Sequence, residues 1–126
     1  AMELCQLKSP HEVMTLSVMA DRQTLKLPTD KILYIDHQNR VTRIHTAERV
    51  IPVSGGFQEV TAALQKDKRF LACYRGILIN MDHISHVDSQ TFRLINGEEL
   101  PISLRNRKQL REVYRQYVFS GMEGIV

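Results

Sequence analysis

The residues best suited to chemistry lie close together in one stretch of the chain, ACYRGILINMDHISHV, which runs from Ala72 to Val87. The stretch holds a thiol, a guanidinium, a carboxylate and two imidazoles, on Cys73, Arg75, Asp82, His83 and His86. Those residue types serve a thiol hydrolase, a metal site or a DNA-reading loop. Each chemistry needs a different spacing, so the spacing can be used to choose between them.

A cysteine nucleophile would need Cys73 within hydrogen-bond reach of an imidazole, together with donors for an oxyanion. The apolar residues 77–79 separate Cys73 from His83 and His86, which indicates that the chain passes into the core between them. Gly76 alone is a weak oxyanion signal, and no nucleophile motif surrounds the thiol. The pattern therefore favours a small buried thiol at Cys73.

A metal site would draw on Cys73, His83 and His86, with Asp82 as a further ligand. Structural zinc takes four ligands, commonly in tight pairs, and the sequence offers no Cys-x-x-Cys pair. The competing interpretation is that residues 80–83 form a solvated turn between two buried strands. We therefore predict no metal site.

Other catalytic patterns are equally weak. The segment Ser54-Gly55-Gly56 lacks the Lys-Ser/Thr of a phosphate-binding P-loop. Glu98 and Glu99 are adjacent, so on a strand they point to opposite faces and cannot act as a carboxylate pair. We expect neither an enzyme nor a cofactor.

The elements that must position these residues are mostly strands. Apolar residues alternate with polar ones in HEVMTLSVMA, where they are Met14, Leu16 and Val18, and again in QTLKLP. That is the two-residue period of a half-buried strand. KILYID, VTRIHT and RVIPV follow, rich in Ile, Val, Thr and Tyr, with the polar turn signals DHQNR and TAE between them.

Two segments have helical spacing. The first, SGGFQEVTAALQKDKR, predicts a helix of about two and a half to three turns, opened by Ser54 or a glycine. The second follows Ser103, the predicted cap, and carries Leu110 and Tyr114 on its apolar side. Between them, HISHVD, TFRLI and EELPIS read as strands, with a type I′ turn predicted at Asn96-Gly97 and an edge position at Pro101. The fold class is mostly β with two helices.

The length of 126 residues fits one domain with its own core. The two cysteines, Cys5 and Cys73, are too few for a disulfide framework and are typical of free thiols in a reducing cytoplasm. We find no signal peptide and no apolar run long enough for a membrane span. Ala1 before Met2 has the character of a residue left by a tag.

Cationic residues form clusters, although the net charge is only +3. The clusters are Arg105, Arg107, Lys108, Arg111 and Arg115; Lys66, Lys68 and Arg69; and Arg40 and Arg43. A solvated surface is the default interpretation of such clusters, and a nucleic-acid footprint is the alternative. Nucleic-acid binding needs Arg and Asn on short anchored loops, and the chain offers Gln38-Asn39-Arg40, Tyr74-Arg75 and Arg105-Asn106 beside predicted strands or a helix start.

The same residues carry a family resemblance. FLACYRGILINMDHISHV followed by FRLINGEELPISLRNRKQLREVY resembles the LytTR DNA-binding domain over roughly residues 10 to 118. The matching features are Phe70, Tyr74-Arg75, Ile77-Leu78-Ile79-Asn80, Ile84, Asn96-Gly97, Ser103-Leu104-Arg105 and Leu110, with Ile32-Leu33-Tyr34-Ile35-Asp36 upstream.

The resemblance implies an elongated, mostly antiparallel β fold of about ten short strands with one or two short helices. It also implies that loops placed in successive major grooves bind the DNA. By position, Arg75 and Arg105 match base-contacting residues of the family, and a third such position falls near Asn39 or Arg40. Ser103, Asn106 and Lys108 match phosphate contacts.

The resemblance further implies a cytoplasmic bacterial transcription regulator of the response-regulator type in a two-component system. Its expected partners are double-stranded promoter DNA with repeated sites, a second copy on that DNA, and an N-terminal receiver domain preceding this chain. We expect a tail or linker with the tag remnant at residues 1–9, the DNA-binding domain at 10–120, and a C-terminal tail at 121–126. The rival hypothesis is a protein-interaction or sensory module on the same scaffold, with an exposed apolar patch in VFSGMEGIV.

Overall fold

The computed structural model describes residues 15–125, with side chains to residue 120. The ten strands are β1 (Thr15–Ala20), β2 (Gln23–Pro28), β3 (Ile32–Gln38), β4 (Val41–Thr46), β5 (Val50–Val53), β6 (Phe70–Tyr74), β7 (Ile77–Asn80), β8 (Ile84–Val87), β9 (Thr91–Leu94) and β10 (Glu99–Pro101). The α-helices are α1 (Phe57–Thr61) and α2 (Arg107–Ile125). The predicted N-terminal tail, Cys5 and the place of Met14 in the first strand lie outside the described residues.

The strands form three antiparallel sheets, as the mostly β prediction required. The central sheet has the order β5-β4-β3-β7-β6, the second is the hairpin β1-β2, and the third is β10-β9-β8. The hairpin is joined to the central sheet by a backbone hydrogen bond of 2.8 Å from Ser54 N–H to Met19 C=O. Pro101 lies on the edge strand β10, where its missing N–H removes no ladder bond.

The middle of the central sheet is buried on both faces, which explains why β3 and β7 are nearly continuous apolar runs. Ile35, Ile44 and Leu78 pack in one core with the β1–β2 hairpin and α1. Ile79 packs in a second core with the β8–β10 sheet and α2. Burial of two apolar layers by one sheet is the main source of stability here, at about 25 cal/mol per Å² of apolar surface removed from water.

A bulge in β3 allows five consecutive residues of one strand to be buried. The register with β4 shifts between Ile32 and Tyr34. A strict alternation would place Leu33 and Tyr34 on opposite faces, yet both belong to the second core. The extra residue of the bulge shifts the alternation of side chains between the two faces by one residue, so that Tyr34 and Asp36 lie on the same face as Leu33.

Helix α2 covers the second core along the side formed by β6 and β8. Leu110, Tyr114 and Tyr117 recur at helical spacing and pack on that core. The Tyr114 hydroxyl lies 3.4 Å from the Ile84 carbonyl, and the Tyr117 hydroxyl donates to the Asp82 carboxylate. The helix therefore begins beside the end of β6 and runs toward the start of β8. No helix in the described part of the chain is long and apolar enough to cross a membrane.

Two local predictions were wrong. At Asn96-Gly97 only Gly97 has positive φ, +95°, whereas a type I′ turn needs positive φ at both central residues. The Gly97 N–H instead donates to the Leu94 carbonyl at 2.9 Å, which gives a three-residue loop ending in a left-handed glycine. Ser103 does not cap α2 either, because the Asn106 carbonyl accepts the helical bond from the Leu110 N–H at 2.8 Å.

The first helix is shorter than the spacing predicted. It begins after Gly56 and ends at Thr61, and a 3-10 turn, residues 62–64, continues it. Ser54 pairs with Met19 in a β-bridge, so it cannot open the helix. The basic residues beyond it lie outside the helix, in turns before β6, where Arg69 forms an ion pair with Asp67 at 2.8 Å.

The sequence suggested a solvated turn at residues 80–83, but two of its residues are buried. Asn80 is 0 % exposed and Met81 is 4 % exposed, at the start of a 3-10 turn. The Asn80 amide nitrogen donates to the Ile32 carbonyl at 3.0 Å, and its side-chain oxygen accepts from the Asp82 N–H at 3.0 Å. A polar side chain is tolerated there because its hydrogen bonds are made inside the protein.

Candidate nucleic-acid interface

The turn between β3 and β4 presents Asn39 and Arg40 to solvent. Their φ angles are +50° and +66°, the left-handed values of a type I′ two-residue hairpin turn. The turn lies beyond the pair Gln38–Val41, which ends the ladder. Arg43 links the two strands behind the turn, because its guanidinium bonds to Gln38 and lies 3.5 Å from the Asp36 carboxylate. The two exposed side chains therefore stand on a rigid hairpin.

The turn between β6 and β7 presents Arg75. Gly76 follows it with φ +76°, a left-handed conformation that favours glycine. The register of β6 shifts between Ala72 and Tyr74, so Cys73 lies in a bulge and is directed into the core with 0 % exposure. Tyr74 and Arg75 are exposed on either side of the strand end. A buried anchor thus holds an exposed arginine on a short turn.

The segment between β10 and α2 carries Ser103, Arg105 and Asn106. The Ser103 N–H donates to the Cys73 carbonyl at 2.7 Å, which fixes this segment against the β6–β7 turn. A shallow depression results, lined by Ala72, Tyr74, Arg75, Ser103, Arg105, Asn106 and Leu110. Two arginines that are 30 residues apart in the sequence therefore face the same depression.

Sheet register places the β3–β4 turn at the same end as this depression. Asp36 is paired with Ile77, so the strand end that leads to Asn39 lies beside the turn that holds Arg75. A Cβ atom at Gly76 would lie 4.0 Å from the His37 Cβ. We call this end the loop end, defined by Asn39, Arg40, Arg75, Ser103, Arg105, Asn106 and Lys108. Asn39 and Arg40 do not line the depression itself.

The electrostatics of the loop end favour an anion. Lys108 is exposed in the first turn of α2, where no acidic residue occurs. The positive end of the helix dipole adds to this charge. Within residues 15–120, Arg40, Arg75, Arg105 and Lys108 form no ion pair with a carboxylate. An array of free cations on rigid turns can hold several phosphates and present guanidinium groups to base edges.

The predicted cluster of Lys66, Lys68 and Arg69 lies elsewhere in the fold. The cluster that includes Arg69 precedes β6, whose first residue pairs with Asn80 at the end of the sheet opposite the loop end. Arg69 itself bonds to Asp67 and to the Thr29 hydroxyl, at 2.8 and 2.7 Å. Its guanidinium holds the pKa of the Asp67 carboxyl below its usual range. This cluster is therefore separate from the loop end.

The residues considered for thiol or metal chemistry are held in separate places. Cys73 lies in the core at the loop end, whereas the His83 ring lies 2.7 Å from the Asp30 carbonyl at the opposite end. Asp82 accepts from Tyr117, and His86 lies 3.7 Å from the Asp88 carboxylate. Among the described residues, no three His, Cys, Asp or Glu side chains are placed to share a metal ion.

Cys73 should be chemically inert in the folded protein. Burial raises the pKa of its thiol to about 12, so at pH 8 roughly one molecule in ten thousand would carry the reactive thiolate. In a Cys5→Ser variant, we expect no reaction with a water-soluble aromatic disulfide reagent at pH 8. One equivalent should react after denaturant is added. Fast reaction under native conditions would show that the thiol is accessible and activated.

The sequence did not single out one further segment at the loop end. The β8–β9 turn, residues 88–90, lies there because the Ile102 N–H donates to the Gln90 carbonyl at 3.0 Å. Its polar residues DSQ read as an ordinary break between two strands. The order of the strands could have located this turn. In an antiparallel meander β8-β9-β10, the β8–β9 turn lies at the same end as the residues that follow β10.

Comparisons with known proteins give a consistent result. The model of one protein family, the LytTr DNA-binding domain, matches residues 22–115. Among solved structures, the fold is similar to a domain from Bacillus cereus described as the LytTr DNA-binding domain of a protein assigned as a methyl-accepting/DNA response regulator. The two chains are 20% identical, the match covers 79% of this chain and 94% of that chain, and the TM-score is 0.65. No curated protein matches the sequence.

Proposed function

This chain belongs to the LytTr DNA-binding domain family, and on that premise we propose that it binds double-stranded DNA sequence-specifically for a bacterial transcription regulator. The observation that supports this most directly is the loop end. Three segments that are far apart in sequence bring Arg40, Arg75 and Arg105 to one end of the fold, exposed and without an acidic partner among the described residues.

The proposed readout divides the loop-end residues by chemistry. Arg75 and Arg105 read guanine O6 and N7 in a groove, because a guanidinium can donate two parallel hydrogen bonds to that edge. Asn39 or Arg40 provides a third base contact from the β3–β4 turn. Ser103, Asn106 and Lys108 hold phosphates, which sets the register without reading sequence.

Binding itself is tested with a random duplex library. The purified chain is used to select duplexes, and affinity for the recovered motif is compared with affinity for a scrambled duplex at fixed salt. Sequence-specific domains bind their sites typically 10³–10⁷ times more tightly than other DNA. Recovery of no motif and equal affinity for both duplexes would overturn the proposal.

The salt dependence should report the phosphate contacts. In a Lys108→Ala variant, the slope of log K against log salt should fall by about 0.9, because one phosphate contact releases about that many counterions on B-DNA. Lys31→Ala is the matched control, since Lys31 is exposed in a turn at the opposite end of the central sheet. Fluorescence anisotropy between 50 and 200 mM salt on a labelled duplex measures both slopes. A Lys108→Ala slope equal to that of Lys31→Ala would remove Lys108 from the interface.

The wider assignment follows from the same proposal. We propose a domain covering residues 10–120, flanked by segments 1–9 and 121–126, of a cytoplasmic response regulator with an upstream receiver domain. Binding to repeated promoter sites by two copies fits this role, and the chain itself then performs no catalysis. Light scattering of the domain with and without DNA measures the number of copies per duplex.

One observation favours the rival interaction module. Val118 and Phe119 are exposed at 39% and 57% on α2, within the segment where an apolar patch was predicted. The side chains that follow lie outside the described residues. A module that acts through this patch alone would show no salt-dependent DNA binding, so the anisotropy titration separates the two functions.

A further inference from the structure

The β8–β9 turn adds a fourth exposed segment to the loop end. Asp88, Ser89 and Gln90 are all exposed, and the turn is closed by a 2.8 Å bond from the Asp88 N–H to the Thr91 carbonyl. The turn projects from the three-stranded sheet, whereas Arg40 and Arg75 project from the central sheet. The loop end therefore has a row of turns from the central sheet and a further turn from the three-stranded sheet.

Two backbone bonds fix this turn relative to Arg105. The Ile102 N–H donates to the Gln90 carbonyl at 3.0 Å, and the next N–H, that of Ser103, donates to the Cys73 carbonyl at 2.7 Å. Consecutive N–H groups of an extended chain point to opposite sides. The segment that leads to Arg105 therefore lies between the β8–β9 turn and the β6–β7 turn, and both are held by main-chain contacts.

The charge of the β8–β9 turn argues against a phosphate-binding role. It carries no cation, and the Asp88 carboxylate, with a side chain 53% exposed, would repel phosphate. Its neighbour His86 lies 3.7 Å away and offsets that charge only when protonated. Gln90 is neutral, so it contributes little to general attraction for DNA, yet its amide can both donate to and accept from a base edge.

We propose that Gln90 is a specificity-determining residue that reads a base edge, with adenine preferred, beside the base pair contacted by Arg105. Glutamine and adenine match because the amide oxygen accepts from N6 while the amide nitrogen donates to N7. The inference rests on the proposed DNA-binding function and adds a contact from a second sheet.

Selection from a random duplex library tests this with three proteins: the unsubstituted chain, Gln90→Ala and Gln65→Ala. Gln65 is an exposed glutamine in the α1–β6 connection, which enters β6 at the opposite end of the central sheet. We expect Gln90→Ala to lose the preference at one base pair and to bind the original motif at least about 5-fold more weakly. Its affinity for scrambled DNA should not change, and Gln65→Ala should behave like the unsubstituted chain.

Two results would overturn the role of Gln90 and leave the proposed function intact. One is an unchanged motif and affinity in Gln90→Ala. The other is an equal loss on selected and scrambled duplexes, which would indicate a backbone contact rather than readout. If the unsubstituted chain recovers no motif, both the proposed function and this inference fail. An Arg105→Ala selection run in parallel identifies the neighbouring base pair.

Discussion

Replacing Arg75 and Arg105 together with alanine should reduce binding to the specific site to the level of scrambled DNA. Each bidentate arginine–guanine pair contributes about 1–3 kcal/mol of discrimination, so each single substitution should weaken specific binding roughly 5- to 150-fold. Both side chains are exposed, and neither bonds to another described side chain. Their removal should therefore leave the thermal midpoint unchanged, which circular dichroism checks.

Replacing the two arginines with lysine distinguishes recognition of the guanine edge from simple attraction between opposite charges. Arg75→Lys and Arg105→Lys keep the positive charge, but lysine cannot reproduce the planar fork that matches the guanine edge. We therefore expect most of the specificity to be lost while the salt dependence is retained. Arg49→Ala is the control, because Arg49 is exposed in the β4–β5 turn, away from the β3–β4 turn. If both alanine variants bind the specific site like Arg49→Ala at fixed salt, the proposed readout is wrong.

The two arginines face one depression, so their effects need not add. Neighbouring residues with shared partners commonly show interaction energies of about 0.5–3 kcal/mol. A double-mutant cycle on the selected duplex measures this term. An interaction energy indistinguishable from zero would indicate that the two arginines contact separate base pairs without influencing one another.

Replacing Asn80 with alanine should destabilise the fold by about 2–4 kcal/mol. The side chain is 0 % exposed and joins three segments. It donates to the Ile32 carbonyl at 3.0 Å and the Thr29 carbonyl at 3.4 Å, and it accepts from the Asp82 N–H at 3.0 Å. Alanine would leave buried backbone groups without these bonds, each at a cost of about 1–3 kcal/mol, of which relaxation recovers part.

The measurement is urea unfolding followed by circular dichroism, with a thermal midpoint lowered by on the order of 10 °C. Asn106→Ala is the matched control, because Asn106 is exposed at the loop end. We expect the two asparagines to have different roles: Asn80→Ala loses stability, whereas Asn106→Ala loses DNA affinity and, because Asn106 directly precedes α2, loses only about 1 kcal/mol of stability or less. An Asn80→Ala protein within about 0.5 kcal/mol of the parent would mean that water replaces the lost bonds.

The strand positions could be read from the sequence because local patterns determine them. Leu16 and Val18, or Leu25 and Leu27, alternate with polar residues as a half-buried strand requires. The apolar runs in KILYID and GILIN also indicated strands, and their burial on both faces explains the missing alternation. Arg75 is exposed, as expected for a turn beside a strand that enters the core.

Turn and cap details could not be read in the same way. Asn96-Gly97 has the composition of a type I′ turn, but the observed loop needs only Gly97 in the left-handed region. The type I′ geometry occurs in the β1–β2 turn at Asp21-Arg22 and in the β3–β4 turn at Asn39-Arg40, and neither turn contains a glycine. Ser103 looked like a cap, yet its N–H is bonded across the fold to Cys73. For Ser103, a contact with a distant residue outweighs a local capping preference of about 1 kcal/mol.

The sequence by itself determined the mostly β class and the family, because these depend on residue type and short-range order, and it supplied the residues that we propose contact DNA. Only the tertiary structure decided which of them lie together. Register between β3 and β7 brings Asn39 to the end that carries Arg75, and two backbone bonds place Arg105 between that turn and Gln90. The tertiary structure also places the Arg69 cluster at the end of the central sheet opposite the loop end. Such placement depends on pairings between residues far apart in the chain, which no local pattern records.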